Sequence, residues 1–257
     1  MPHAHRLWNG LAVFLVMLLV VLLPPFAATA GCGAGRSAGS SSVLVFGDSY
    51  SAPDRVKGVR NWVEQLQASG RVGRVINLAV GKSKAGGFQQ DSQRSFHGQV
   101  NLWLNREGGA LTDLTVVYLG YNDVAFARYG LARSKRLYAQ EVDRLIASGV
   151  TANGRCLILV NLHDWSRNPQ SEPGARQRVL EWNDFLASLQ KGRPNVKIAN
   201  MFGQFEQIFA NPGKFGFTNV TDANRKASFT TTLYIDSAHF GEKGFSFVAK
   251  AIAEAMP

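Results

Sequence analysis

Only two cysteines, Cys32 and Cys156, occur in the 257 residues. That excludes a multi-disulfide framework, and no cysteine spacing suits a zinc site. Histidine is equally scarce. Beyond residue 30 only His97, His163 and His239 remain, and no Asp-x-His motif is present. Metallohydrolases that build their centres from several His and Asp ligands are therefore excluded, and no metal or organic cofactor is expected. Acidic residues are few as well, 18 against 28 basic, for a formal charge of +10. Only Arg6 among the charged residues precedes Gly31, so nearly all of this charge belongs to the rest of the chain. Such a balance favours anionic partners such as a phospholipid membrane surface or an acidic polysaccharide, although the basic residues are spread as on any solvated surface. No zinc knuckle, helix-turn-helix signature or basic–aromatic run appears, so a nucleic acid is not an expected partner.

The N-terminus has the form of an export signal. His3, His5 and Arg6 precede an unbroken apolar run from Leu11 to Leu23, which Pro24 and Pro25 end. Ala28-Thr29-Ala30 then fits the small-x-small cleavage pattern. The run is short for a spanning helix, which needs about 20 apolar residues. Residues 1–30 are expected to be a signal peptide and the mature protein to be secreted or periplasmic. Thr29-Ala30-Gly31-Cys32 also resembles a bacterial lipoprotein signal, with Thr29 where Leu is usual, which makes Cys32 a candidate lipid anchor. Cys156 opens the apolar run Cys156-Leu-Ile-Leu-Val160 and is expected as a buried core thiol. A Cys32–Cys156 disulfide would join a flexible tail to a strand and is not expected.

Residues 31–42 (GCGAGRSAGSSS) read as a flexible linker. From Val43 onward apolar strand candidates alternate with helical patterns, which predicts one α/β domain over residues 43–257. The strands are Val43–Phe46, Val75–Asn77, Leu114–Leu119, Cys156–Leu162 and a weak Val196–Ala199. Helices are expected over Asn61–Ser69, Phe88–Leu104, Leu131–Ser148, Pro173–Lys191, Phe202–Phe209 and Gly244–Met256. Asn211–Thr232 is expected to be a long irregular connection. Alternation of this kind builds a parallel sheet covered on both faces, with ligand sites at the carboxyl ends of the strands.

Four segments carry candidate chemistry. The first strand ends in Gly47-Asp48-Ser49-Tyr50, where a Ser stands exposed above the sheet; alone, this is also an ordinary turn. The second leads into a glycine-rich stretch, Gly81 to Gly87, whose backbone N–H groups can turn toward a ligand. The third runs into Gly120-Tyr121-Asn122-Asp123, and a side-chain amide there can donate to a developing oxyanion. Near the C-terminus, Asp236-Ser237-Ala238-His239 places a carboxylate where it can bond the imidazole Nδ1 and fix its tautomer. His97 is expected to be solvated and His163 to be structural or at a pocket rim.

In this order the four segments resemble the GDSL/SGNH hydrolases. Gln99-Val100, Asn161-Leu162 ahead of Pro169, Trp182-Asn183 and Phe215–Thr221 are similar to the lipase/acylhydrolase branch. The resemblance implies a flavodoxin-like α/β/α sandwich with a central parallel sheet. It implies carboxylic ester hydrolysis with Ser49 as nucleophile, His239 as base and Asp236 as its orienter. The oxyanion would be held by the N–H groups of Ser49 and Gly81 and by Asn122. This chain has Gly81-Lys82 where the family often has Gly-Gly, so Lys82 N–H is an alternative donor, and Phe240 stands where Pro commonly follows the His. Lipid, acetylated-sugar and other small-molecule esters all remain candidate substrates. Acyl transfer by the same triad, or a silent carbohydrate- or surface-binding role, remains the alternative. Trp165, Phe215 and Phe217 are candidates for an acyl groove, lined by loops 51–60, 164–173 and 211–232.

Overall fold

Five strands form one parallel sheet: β1 (Ser41–Gly47), β2 (Val72–Asn77), β3 (Leu114–Tyr118), β4 (Cys156–Val160) and β5 (Val196–Ala199). They lie in the order β2-β1-β3-β4-β5, the flavodoxin-like arrangement that the family resemblance implies. The computed structural model describes residues 31–33, 41–53, 58–86, 92–127, 130–224 and 231–257. The expected signal peptide and cleavage site, and most of the Gly/Ser-rich stretch, lie outside the described residues. No helix among the described residues is long and apolar enough to cross a membrane.

The inner strands β3 and β4 are buried at every position, which is why they read as continuous apolar runs rather than alternating ones. The helices are α1 (Trp62–Ala68), α2 (Phe96–Arg106), α3 (Tyr121–Ala125), α4 (Ala132–Ala147), α5 (Ala175–Gln190), α6 (Met201–Ala210) and α7 (Glu242–Ala255). They fall into two packed groups, α1 and α6 against α7, and α2 and α5 against α4. Side-chain caps set several of the starts. Asn61 and Glu64 close a reciprocal capping box at α1. Ser95 Oγ accepts from Gly98 N–H at α2, so this helix begins at Phe96; of the stretch expected to precede it, 92–95 is not helical and 88–91 lies outside the described residues.

The expected connection Asn211–Thr232 holds more structure than anticipated. A 3₁₀ turn spans Pro212–Phe215, and β6 (Asn219–Ala223) pairs in parallel with β7 (Thr232–Tyr234). β7 is fully buried and leads directly into Asp236.

Cys32 and Cys156 are joined by a disulfide, which corrects the expectation of a free core thiol. Two features explain it. Cys156 is the first residue of β4, at the amino end of the sheet, not in a strand interior. The segment around Cys32 is held there, since Gly33 N–H donates to Gly154 O at 2.9 Å, and the two Cα atoms lie 5.3 Å apart. A sulfur in this bond cannot also carry a lipid thioether, so disulfide and lipid anchor at Cys32 exclude each other.

Candidate active site

The chain runs from β1 outward to β2 on one side and then crosses back to β3 on the other, and this switch opens a crevice above the carboxyl ends of β1 and β3. Ser49 sits in the turn leaving β1. Asp48 O accepts from Ser51 N–H at 3.0 Å and Ala52 N–H at 2.9 Å, and Asp48 Oδ1 accepts from Tyr50 N–H at 3.0 Å. Gly47 allows this turn, because a Cβ there would lie 2.7 Å from Ser51 Cβ. Gln99 on α2 fixes Gly47 from both sides. Its Oε1 accepts from Gly47 N–H at 3.0 Å and its Nε2 donates to Gly47 O at 2.9 Å.

His239 reaches Ser49 from the loop between β7 and α7. Ser49 Oγ and His239 Nε2 are 2.8 Å apart, and His239 Nδ1 lies 2.8 Å from Asp236 Oδ2. Nδ1–H therefore donates to Asp236, and Nε2 is left to accept from the Ser49 hydroxyl. Asp236 Oδ1 also accepts from Ala238 N–H at 2.9 Å and His239 N–H at 2.7 Å. Burial pushes the Asp236 carboxyl up, but the imidazole and these two N–H groups outweigh it and hold the group well below the usual carboxylate range. It thus stays ionised beside an imidazole that must accept a proton.

Asn122 opens α3, just beyond β3. Gly120 before it takes φ +122°, and a Cβ there would overlap the Trp182 ring. Asn122 Nδ2 donates to Ser83 O at 3.0 Å and, more weakly, to Asp48 Oδ2 at 3.4 Å. The longer bond is the one an oxyanion can displace. Burial, with the nearby Asp123 charge adding to it, pushes the Asp48 carboxyl up to about 7. Among the described residues the N–H groups of Ser49, Gly81 and Lys82 donate to no protein acceptor. These groups are free for a substrate oxygen, and Gly81 and Lys82 both remain available as the second donor.

Sequence reasoning did not find the groups that brace this assembly. Asp123 accepts from Ala85 N–H at 2.8 Å and Gly86 N–H at 2.9 Å, which ties α3 to the loop carrying Gly81. Tyr50 OH and Asn168 Nδ2 both donate to Ala238 O, inside the Asp236–His239 loop, Asn168 at 3.3 Å. Asn168 in turn donates to Tyr121 OH at 2.8 Å, and its Oδ1 accepts from Tyr234 OH at 2.9 Å and from His163 Nε2–H at 2.8 Å. Each partner comes from a different part of the chain, so no local pattern announces it. His163 is fully buried behind the site, not at its rim. His97 is not simply solvated, since its Nδ1 lies 2.7 Å from Glu141 Oε1.

A cavity of about 660 Å³ opens over Ser49, His239 and Asn122. Trp165, Gln170, Ser171 and Glu172 of the loop after β4 line it, as expected, together with Tyr121 and Phe126 from α3 and its end. Phe215 and Phe217 do not line it. They pack on Phe247 of α7, with ring centroids 5.7 Å and 5.8 Å away, because the turn at Pro212–Phe215 folds them against that helix.

This arrangement can deliver an activated hydroxyl to a carbonyl and hold the resulting oxyanion. Comparisons with known proteins agree. The family model of the GDSL-like lipase/acylhydrolases matches residues 43–252. A comparison with curated protein sequences gives no match. Solved structures that share the fold include an α/β hydrolase from the metagenome of Lake Arreo, Spain (18% identity, TM-score 0.57, covering 85% of this chain and 96% of that one). A lipolytic G-D-S-L family protein from Veillonella parvula is also similar (18%, TM-score 0.54, 83% and 96%). So is the acetylxylan esterase Axe2 from Geobacillus stearothermophilus (16%, TM-score 0.56, 88% and 95%). The chain belongs to the GDSL-like lipase/acylhydrolase family and is, by that membership, a carboxylic ester hydrolase.

Proposed function

We propose that this is an exported hydrolase of short-chain esters that works through an acyl-enzyme on Ser49. The observation that carries the reading is the line of Ser49 Oγ, His239 Nε2, His239 Nδ1 and Asp236, with 2.8 Å at each hydrogen bond. Ser49 Oγ attacks the ester carbonyl while His239 Nε2 takes its proton, and Asp236 stabilises the imidazolium. Ser49 N–H, Gly81 or Lys82 N–H and Asn122 Nδ2 receive the oxyanion. The alcohol leaves with the proton from His239. Water, deprotonated by the same imidazole, then frees the acid and regenerates Ser49. No step calls for a metal or organic cofactor.

Export is supported by the apolar run Leu11–Leu23 and by the Cys32–Cys156 disulfide, since such bonds persist in oxidising compartments. A small acyl group and a polar alcohol are supported by the pocket rim, where Lys82, Gln170, Ser171 and Glu172 are polar, and by Phe215 and Phe217 packing elsewhere. The neighbour Axe2, named as an acetylxylan esterase, is in keeping with this substrate class. The test is hydrolysis of p-nitrophenyl esters from acetate to palmitate by Gly31–Pro257, beside Ser49→Ala. Turnover of acetate and butyrate that disappears in the variant is the expected result. Preference for palmitate would overturn the short-chain reading. Folded protein that neither turns over an ester nor reacts with a fluorophosphonate probe would overturn the hydrolase.

A further inference from the structure

Lys82 holds a backbone conformation that few side chains adopt. Its φ is +67°, in the left-handed region that glycine occupies freely. The residue follows Gly81 at the lip of the cavity that contains Ser49 and His239. A lysine kept where glycine would be relaxed points to a use for its side chain. That side chain is exposed, lines the cavity, and makes no ion pair or hydrogen bond among the described residues. A second cation, Lys84, lines the same cavity, with its Nζ 5.1 Å from the ring centroid of Phe126. Phe126 is 63% exposed, one of the few large apolar side chains open to solvent among the described residues. Glu172 is the acidic side chain in the lining, and its Oε2 lies 3.6 Å from Arg178 Nη2. The mouth of the site therefore presents positive charge with an aromatic surface beside it.

We propose that the ester turned over here carries a carboxylate on its acyl or alcohol part, and that Lys82 selects for that negative charge. The inference rests on the ester-hydrolase reading and narrows its substrate class. Among the described residues no side chain pairs with Lys82, and a neutral ester adds none. An anionic one places opposite charges together at the edge of a partly enclosed cavity, where water screens them less than in bulk. The chemistry of the acyl transfer is unchanged. What Lys82 alters is which ester reaches Ser49.

The experiment compares two matched pairs of esters with the chain Gly31–Pro257 at low ionic strength. One pair is 4-acetoxybenzoate and its methyl ester; the other is p-nitrophenyl monoglutarate and p-nitrophenyl valerate. Each kcat/KM is divided by the second-order rate constant for hydroxide attack on the same ester, which leaves out attack by the glutarate's own carboxylate. The wild type is expected to favour the anionic member of at least one pair by about tenfold. That ratio should collapse toward one in both Lys82→Gly and Lys82→Gln, survive in Lys82→Arg, and shrink with added salt. Lys250→Gln, late in α7 and not in the cavity lining, removes the same net charge and should leave the ratio in place. Reading a ratio within each variant cancels any general loss of activity. A wild-type ratio near one, or one that neither neutral substitution moves, overturns the selection by Lys82. Hydrolysis of the neutral esters without that preference would leave the hydrolase standing alone. Hydrolysis of no ester would remove both.

Discussion

The side chains that do no chemistry here still set how the site answers to pH. His163 is wholly buried, its Nε2–H donates to Asn168 Oδ1, and its Nδ1 has no hydrogen-bond partner among the described residues. Burial pushes its pKa down from 6.5 to about 4, so the folded protein holds a neutral imidazole across that window. The unfolded chain takes up a proton below pH 6.5. The stability His163 contributes is therefore full above 6.5 and lost as pH falls toward 4, by about 3 kcal/mol in all. Asp48 works in the opposite sense. Its carboxyl is raised to about 7 by burial, so the fold binds that proton more tightly than the unfolded chain does, and stability declines as pH rises from 3.8 to 7. The two slopes oppose each other. His163→Gln should uncover the Asp48 slope. Urea unfolding at pH 4.5, 5.5 and 7 is expected to show the variant gaining on the wild type by up to about 3 kcal/mol as pH falls. Curves that stay parallel would mean His163 is not held neutral by burial.

Elements matter through the tethers between them. α3 carries Asn122 and the loop after β2 carries Gly81, and Asp123 bonds α3 to that loop's backbone at Ala85 and Gly86, beside the bond from Asn122 to Ser83 O. Burial pushes the Asp123 carboxyl up, which marks how costly an unsatisfied group would be there. Asp123→Ala is expected to lower kcat by about 10²-fold, since a shift of about 1 Å in an oxyanion donor has that effect. Asp123→Asn, which keeps one acceptor, should lose less. Far-UV circular dichroism that stays native, beside slower fluorophosphonate labelling of Ser49, would place the effect in positioning; unchanged labelling in both variants would sink it. This tether also shows what the sequence could tell. Strands β1, β3 and β4 were legible because buried parallel strands are uninterrupted apolar runs; three motif segments were legible because each follows one of the expected strand ends, and the fourth through its Asp-x-x-His spacing alone. The structure brings Ser49, Asn122 and His239 to one cavity, with Asp236 bonded to His239. β6 and β7 were hidden because short strands in a polar stretch lack periodicity, and the start of α2 at Phe96 is set by the cap at Ser95, which the apolar pattern does not register. Asp123, Asn168 and Gln99 act on backbone far away in sequence, and spacing does not encode that.

At the scale of the whole molecule the fold separates its staple from its chemistry. In a parallel sheet every strand starts at one end and finishes at the other. Cys156 opens β4 at the amino end, whereas Ser49, Asn122 and the loop after β4 lie beyond the carboxyl ends. The bond to Cys32 closes a loop with a sequence separation of 124 residues. In the chain-entropy account such a closure destabilises the unfolded state, and its removal typically costs about 2–4 kcal/mol. The paired variant Cys32→Ser/Cys156→Ala should therefore unfold at lower urea concentration than the oxidised wild type. Its kcat/KM on p-nitrophenyl acetate should match the wild type at a temperature where both are folded. Thiol alkylation of unreduced, denatured wild type should label neither cysteine. Full labelling would place the two thiols free and restore the lipid-anchor reading of Cys32, which needs that sulfur. A loss of activity without loss of stability would mean the amino end of the sheet communicates with the site, against the geometry. The expected outcome, lower stability with intact catalysis, follows from where the chain enters β4 and where it leaves β1.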